Sequence, residues 1–205
     1  MDALTLSSLL ASRLCHDLIN PVGALSAGLE ILDEEQDAEM RAEALKLIRN
    51  STEKSIALLS FARMAFGSGG AHGMDIDLSE AKMVTQAVYA HFKADLEWRL
   101  PAGMAAKSYT KAVMNIALLA ADCVPRAGSK VIVQGDMSRV LVIAEGQKAK
   151  IKPELRTALG RDATDLEPKQ TPAFISALIL SETGGSVACE EVSDERVEFS
   201  LNFGE

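Results

Sequence analysis

Apolar residues return along the first thirty positions at Leu10, Leu14, Leu18, Val22, Leu25, Leu29 and Leu32. At about 100° per residue these collect on one stripe of a helix running from about Thr5 to Leu32. The acidic run Asp33-Glu34-Glu35-Gln36-Asp37 interrupts the pattern, and a second helix follows to about Phe66. Its stripe holds Leu45, Ile48, Thr52, Leu59, Ala62 and Phe66, with Arg41, Lys46, Arg49 and Lys54 mostly on other faces. Two long helices on a short connection pack antiparallel as a hairpin, each roughly 40 Å long at ~1.5 Å of rise per residue. A hairpin buries only one face of each helix. The expected cover for the rest is a second copy, which makes a four-helix bundle in the dimer, and the alternative cover is the remainder of the chain.

Gly67 to Gly73 carries four glycines in seven residues and cannot hold a helix. The expected organisation is therefore a hairpin over residues 1–66, a linker over 67–73 and a second domain over 74–205. In that domain the period alternates between 2 and 3.6. A short strand is expected at Met74–Leu78, a helix from Ser79 to about Phe92, and a strand at Asp95–Leu100 stopped by Pro101. An apolar helix over Ser108–Val124 precedes two strands, Lys130–Gln134 and Arg139–Ala144, joined by a turn at Gly135-Asp136. Pro153–Gly160 reads as a short helix, 161–171 as loop, and Thr171-Pro172 opens a helix stopped at Gly184-Gly185. Strands at Ser186–Glu191 and Arg196–Phe203 close the chain, the last alternating cleanly with Val197, Phe199, Leu201 and Phe203 on one face. The class is α+β, with helices layered on one mixed sheet.

One segment of the first helix does not read as packing. In Arg13-Leu14-Cys15-His16-Asp17-Leu18-Ile19-Asn20-Pro21, His16 falls roughly opposite the apolar stripe, beside a carboxylate and one turn before an amide. Pro21 lies inside the helix, removes one backbone hydrogen bond and predicts a bend just after His16. The net charge of −8 argues against binding nucleic acid, which needs a basic face. No apolar run reaches the length of a membrane span, and the start Met1-Asp2 lacks the basic residues of a signal peptide. Cys15, Cys123 and Cys189 are too far apart for a metal or redox motif and fit reduced thiols. The expected location is cytoplasmic. His16, His72 and His91 lie on separate elements without ligand spacing, so no metal site is expected. His72 reads as a solvated linker residue and His91 as a helix-end residue.

The His16-Asp17-Leu18-Ile19-Asn20-Pro21 segment and the order of elements after it resemble the two-component histidine kinase core. In that family a dimeric helical hairpin carries a phosphorylated histidine, and a GHKL (Bergerat-type) α/β domain binds ATP. Ala112–Val133 resembles the family's asparagine-box helix and following strand, and Ser176–Val187 its last helix and turn. The nucleotide motifs depart from the pattern. Ala120 stands where the family's Mg²⁺-holding asparagine is expected, and Asn115 and Asn202 sit elsewhere. Ala144-Glu145-Gly146-Gln147-Lys148 replaces the family's Asp-x-Gly-x-Gly, and residues 150–172 contain no glycine-rich lid to cradle phosphates through backbone N–H groups. A kinase-shaped chain with a degenerate ATP-binding domain is similar to the ChpT-type histidine phosphotransferases of bacterial cell-cycle phosphorelays.

That resemblance implies a phosphotransferase without ATP, whose His16 is the phosphorylated nucleophile. It implies that Asp17 orients the ring and that Asn20, one turn on, positions a hydrolytic water; the alternative for Asn20 is an amide that simply faces solvent on the helix. Arg13 is a candidate contact for the phosphoryl group or for an acidic partner, and Pro21 is structural. The implied partners are a second copy and the receiver domains of a hybrid kinase (CckA-like) and of response regulators (CtrA-like, CpdR-like). Leu9, Ile19 and Gly23 are placed at the edge of the docking surface. No cofactor is expected on this chain, and Mg²⁺ is expected on the receiver. The competing readings are a non-catalytic receiver-binding scaffold and an active atypical kinase or phosphatase.

Overall fold

The computed structural model describes residues 1–67 and 75–204. Helix α1 (Ala3–Glu34) and helix α2 (Ala38–Ala65) form the antiparallel pair. Each starts on an aspartate whose carboxylate accepts orphan backbone N–H groups: Asp2 from Thr5 at 2.8 Å, and Asp37 from Glu39 and Met40 at 3.0 Å. Arg41, one turn into α2, reaches back to the carbonyls of Leu32 and Glu35 and closes the C-terminal end of α1. The helix runs unbroken through Pro21, whose ring leaves the carbonyl of Asp17 without its helical donor.

The two helices meet through small residues. A Cβ on Gly28 would lie 2.7 Å from Cγ1 of Ile48 and 3.3 Å from the carbonyl of Ala44. Ala44, Ser51 and Ala57 are buried with it. The expected apolar stripes are buried in part: Leu10, Leu14, Leu18, Leu25 and Leu32 on α1 and Ile48 on α2 are half-buried, and Ala62 is buried. Val22 and Leu29 on α1, and Leu45 and Leu59 on α2, are exposed in the single chain. Glycine and alanine let the backbones approach closely, and only part of each stripe is left in solvent.

The lower end of α2 sinks Ala57, Phe61 and Ala65 into the same buried cluster as Leu78, Ala81, Tyr89 and Leu118. Strand β1 is only Ile76–Asp77 and pairs antiparallel with an unexpected strand β3, Met104–Ala105. Leu78 opens helix α3 (Leu78–Tyr89), because Asp77 caps it by accepting from Ser79 N–H at 2.8 Å. The helix stops at Tyr89, short of the expected Phe92. The glycine-rich segment expected as a linker, His72 included, and Met74 lie outside the described residues except for Gly67.

The main sheet runs in the order β2-β4-β5-β7-β6. Strand β2 (Ala94–Trp98) pairs parallel with β4 (Ser129–Gly135); β5 (Arg139–Glu145), β7 (Arg196–Asn202) and β6 (Ser186–Ser193) continue antiparallel. Val197, Phe199 and Leu201 alternate inward and are fully buried. Helix α4 (Lys107–Asp122) is packed against β4, β5 and β7, with α6 (Thr171–Glu182) beside it and α5 (Pro153–Leu159) at the edge. The segment 161–171, expected as loop, contains a 3₁₀ turn at Pro168–Gln170. That turn lies against α1 and brings the second domain to the level of Arg13.

Candidate functional site

His16 projects from α1 with its side chain 75% exposed. It stands at a groove of about 230 Å³ between the hairpin and the second domain. Asn20 and Lys54 line the hairpin side, and Phe92, Asp122 and Lys169 come from the second domain.

Behind the histidine is a short polar chain. Nδ1 of His16 lies 3.3 Å from Oδ1 of Asp17. The other carboxylate oxygen accepts from Nε of Arg13 at 2.6 Å, an i, i+4 pair along the helix. Nη1 of Arg13 donates to the backbone carbonyl of Lys169 at 3.0 Å. A carboxylate only accepts, so this contact is a hydrogen bond in the tautomer that carries its proton on Nδ1, which leaves the lone pair on Nε2. Exposure follows the same order: the Arg13 side chain is 12% exposed, that of Asp17 25%. His16, Asp17, Asn20 and Arg13 are thus brought to one place. Lys54, Lys169 and Phe92 were not found by sequence reasoning, and Lys169 lies 156 positions from Arg13 with no local pattern that joins them.

Of the residues placed at the edge of the docking surface, Ile19 is 66% exposed, Gly23 is exposed with open space around it, and Leu9 is half-buried. His91 follows the end of α3, its N–H donating to Val88 at 3.0 Å. Among the described residues no group of three or more His, Cys, Asp or Glu side chains is placed to hold a metal ion.

In the second domain, Ala120 is fully buried in α4, and Asn115 is buried five residues earlier without a hydrogen-bond partner for its amide. In the stretch Ala144–Lys148, Ala144 is buried, Glu145 and Gly146 are half-buried, and Gln147 and Lys148 are exposed. Glu145 binds Lys130 at 3.1 Å and Arg196 at 2.6 Å across the sheet. A Cβ on Gly146 would fall 2.0 Å from Oγ and 2.7 Å from Cβ of Ser129. This glycine is required by close approach of β4, whatever its role toward a nucleotide. We expect Gly146→Ala to cost about 1–3 kcal/mol, lowering the melting temperature by several degrees. Adding Ser129→Gly should recover most of the loss in a thermal scan.

The three thiols differ in reactivity. Cys15 is exposed, Cys189 half-buried and Cys123 buried. Burial raises the Cys123 thiol from 9.0 to about 12. Each unit costs about tenfold in thiolate, so at pH 8 Cys123 should alkylate roughly a thousandfold more slowly than an unshifted thiol. Mass spectrometry of native protein should find Cys15 modified first and Cys123 only after denaturation. Because the folded value is the higher one, this neutral thiol stabilises fully below pH 9, and the contribution is lost as the pH rises toward 12.

Comparison with known proteins places these features. The family model of the histidine phosphotransferase C-terminal domain matches residues 78–195. The chain is 31% identical over 203 residues to the protein phosphotransferase ChpT of Brucella abortus (strain 2308), covering 96% of this chain and 95% of that protein. A solved bacterial phosphotransferase superposes with a TM-score of 0.86 at 28% identity, over 98% of both chains. The histidine kinase domain of a blue-light activated kinase from Erythrobacter litoralis EL346 aligns at a TM-score of 0.50 and 11% identity, over 89% of this chain and 95% of that one. That last likeness is one of fold alone. Among the described residues no helix is long and apolar enough to cross a membrane.

Proposed function

The chain belongs to the ChpT-type histidine phosphotransferases, and from that premise we propose that His16 is the residue that carries the phosphoryl group. The observation that carries this reading is the exposed imidazole at the groove mouth, with Asp17 on Nδ1 and Nε2 unencumbered. The chain takes the phosphoryl group from an aspartyl phosphate on the receiver domain of a hybrid kinase and passes it to the receivers of response regulators in cell-cycle control. It does so without ATP. Ala120, whose buried methyl side chain offers no ligand atom to a metal ion, supports that last point.

The step balances simply. The lone pair of Nε2 forms the P–N bond while the P–O bond to the receiver's aspartate breaks and its electron pair returns to the carboxylate. The Nδ1 proton stays on the ring, so the phosphorylated imidazole is cationic. The negative charge of Asp17 beside it offsets this, and the same pair runs in reverse when the acceptor aspartate attacks. Phosphoryl transfer is mostly positioning and charge neutralisation. A Mg²⁺ held by the receiver would supply the neutralisation on the oxygen side.

Two copies act together. Val22 and Leu29, seven residues apart on α1, and Leu45 and Leu59 on α2 form an exposed apolar face. Seven-residue spacing is the seam of a helical bundle, and the proposed cover is the same face of a second copy.

The test is transfer from a radiolabelled phospho-receiver with ATP removed. Acid-labile label on this chain supports the carrier. No label from a spread of receivers would leave a receiver-binding scaffold as the better account. Release of free phosphate without label on the chain would shift the chemistry to Asn20, which lines the same groove.

A further inference from the structure

We infer that Arg13 is a positioning residue through which the second domain sets the state of His16, and not a contact for the phosphoryl group. This rests on the carrier reading of His16. The guanidinium is spent in two directions at once: Nε on Asp17 at 2.6 Å, Nη1 on the Lys169 carbonyl at 3.0 Å. A planar fork can hold both because its donors point along fixed, diverging directions. With its side chain 12% exposed, Arg13 is packed at the domain junction, whereas the imidazole it serves is 75% exposed.

The consequence is a continuous path from the 3₁₀ turn at Pro168–Gln170 to the nucleophile. The Lys169 carbonyl fixes Arg13, Arg13 fixes one oxygen of Asp17, and the other oxygen keeps Nδ1 protonated. The degenerate domain therefore has a function that does not involve a nucleotide: it holds the hairpin's histidine in the tautomer that attacks.

The experiment compares full-length wild type with Arg13→Ala, Arg13→Lys and Asp17→Asn. Two readouts are taken, the His16 tautomer by ¹⁵N-resolved NMR and the kcat and KM of transfer from a phospho-receiver. In Arg13→Ala the Nδ1-protonated tautomer should lose its dominance and kcat should fall about tenfold, with KM changed less than about twofold. Arg13→Lys should stay near the alanine variant, because an ammonium cannot span Asp17 and the carbonyl together. Combining Arg13→Ala with Asp17→Asn should cost little more than Asp17→Asn alone, as expected of residues acting in one chain.

A lysine that restores the rate, together with a raised KM in Arg13→Ala, would overturn the inference in favour of a phosphate or partner contact. So would an unchanged tautomer in a folded Arg13→Ala protein. Failure of the wild type to accept label would refute the carrier itself, while the tautomer measurement would still decide the role of Arg13.

Discussion

Replacing His16 by alanine should abolish labelling from a phospho-receiver, a loss of at least about 10³-fold in transfer rate, and leave the fold untouched. The size follows from the chemistry. Without the imidazole there is no nucleophile in the groove to form the P–N bond, and removal of a covalent nucleophile costs orders of magnitude where removal of an orienting group costs less. Asp17 cannot replace it, since its carboxylate is committed to Arg13, and Asn20 carries an amide. The stability side follows from burial. His16 is largely in water, and its recorded side-chain contact is the 3.3 Å approach to Asp17. Surface substitutions of that kind change stability by less than about 0.5 kcal/mol, so the melting temperature should be unchanged within a degree or so. Full labelling of a folded His16→Ala protein would remove His16 from the mechanism. The next imidazole to examine would then be His91, at the end of α3.

The second large effect concerns assembly. In Val22→Glu/Leu29→Glu the protein should run as a monomer of 21.9 kDa in light scattering at micromolar concentration, where the wild type should run at twice that mass. Both residues are about half-exposed in the single chain, at 50% and 54%. Their replacement therefore disturbs little inside the protomer, and glutamate is a good helix former. In the bundle, however, each would be taken out of water without a cation opposite. Two such charges on each protomer make four per dimer. At a few kcal/mol for each unpaired charge, the dimer dissociation constant should rise by at least about 10³-fold. Circular dichroism should report the same helix content in both proteins. A wild type that is already monomeric at this concentration would show that another surface covers the stripe.

Much of the architecture was legible from local pattern. The 3.6-residue return of apolar side chains located α1 and α2 to within a few residues, because a helix face is decided by neighbours three and four positions away, while an unbroken apolar run marked α4 and the proline and glycine stops bounded α6. Alternation in Arg196–Asn202 assigned the buried face of β7, since successive side chains of a strand point to opposite sides. His16 stood out because it interrupts the pattern on the face away from the stripe, and Asp17 and Asn20 were found with it by spacing alone.

The places where the reading fell short have a common cause. Strands β1 and β3 are two residues each, too short to show a period, and they exist because their backbones meet. The leucine stripe was correctly seen as apolar, but which face of each helix the hairpin itself buries was decided by Gly28 against Ala44 and Ile48. Gly146 reads as the remnant of a nucleotide motif, yet the space it must leave belongs to Ser129 on the neighbouring strand.

By itself, then, the sequence determined the elements, their apolar positions and the histidine proposed to carry the chemistry, all properties set within a turn or two of chain. Only the tertiary structure decided what stands around that residue. Arg13 could be paired with Asp17 from the i, i+4 spacing, but its second partner is a backbone carbonyl 156 residues away. Every residue type presents the same carbonyl, so no side-chain pattern marks it, and only folding brings it within hydrogen-bond reach.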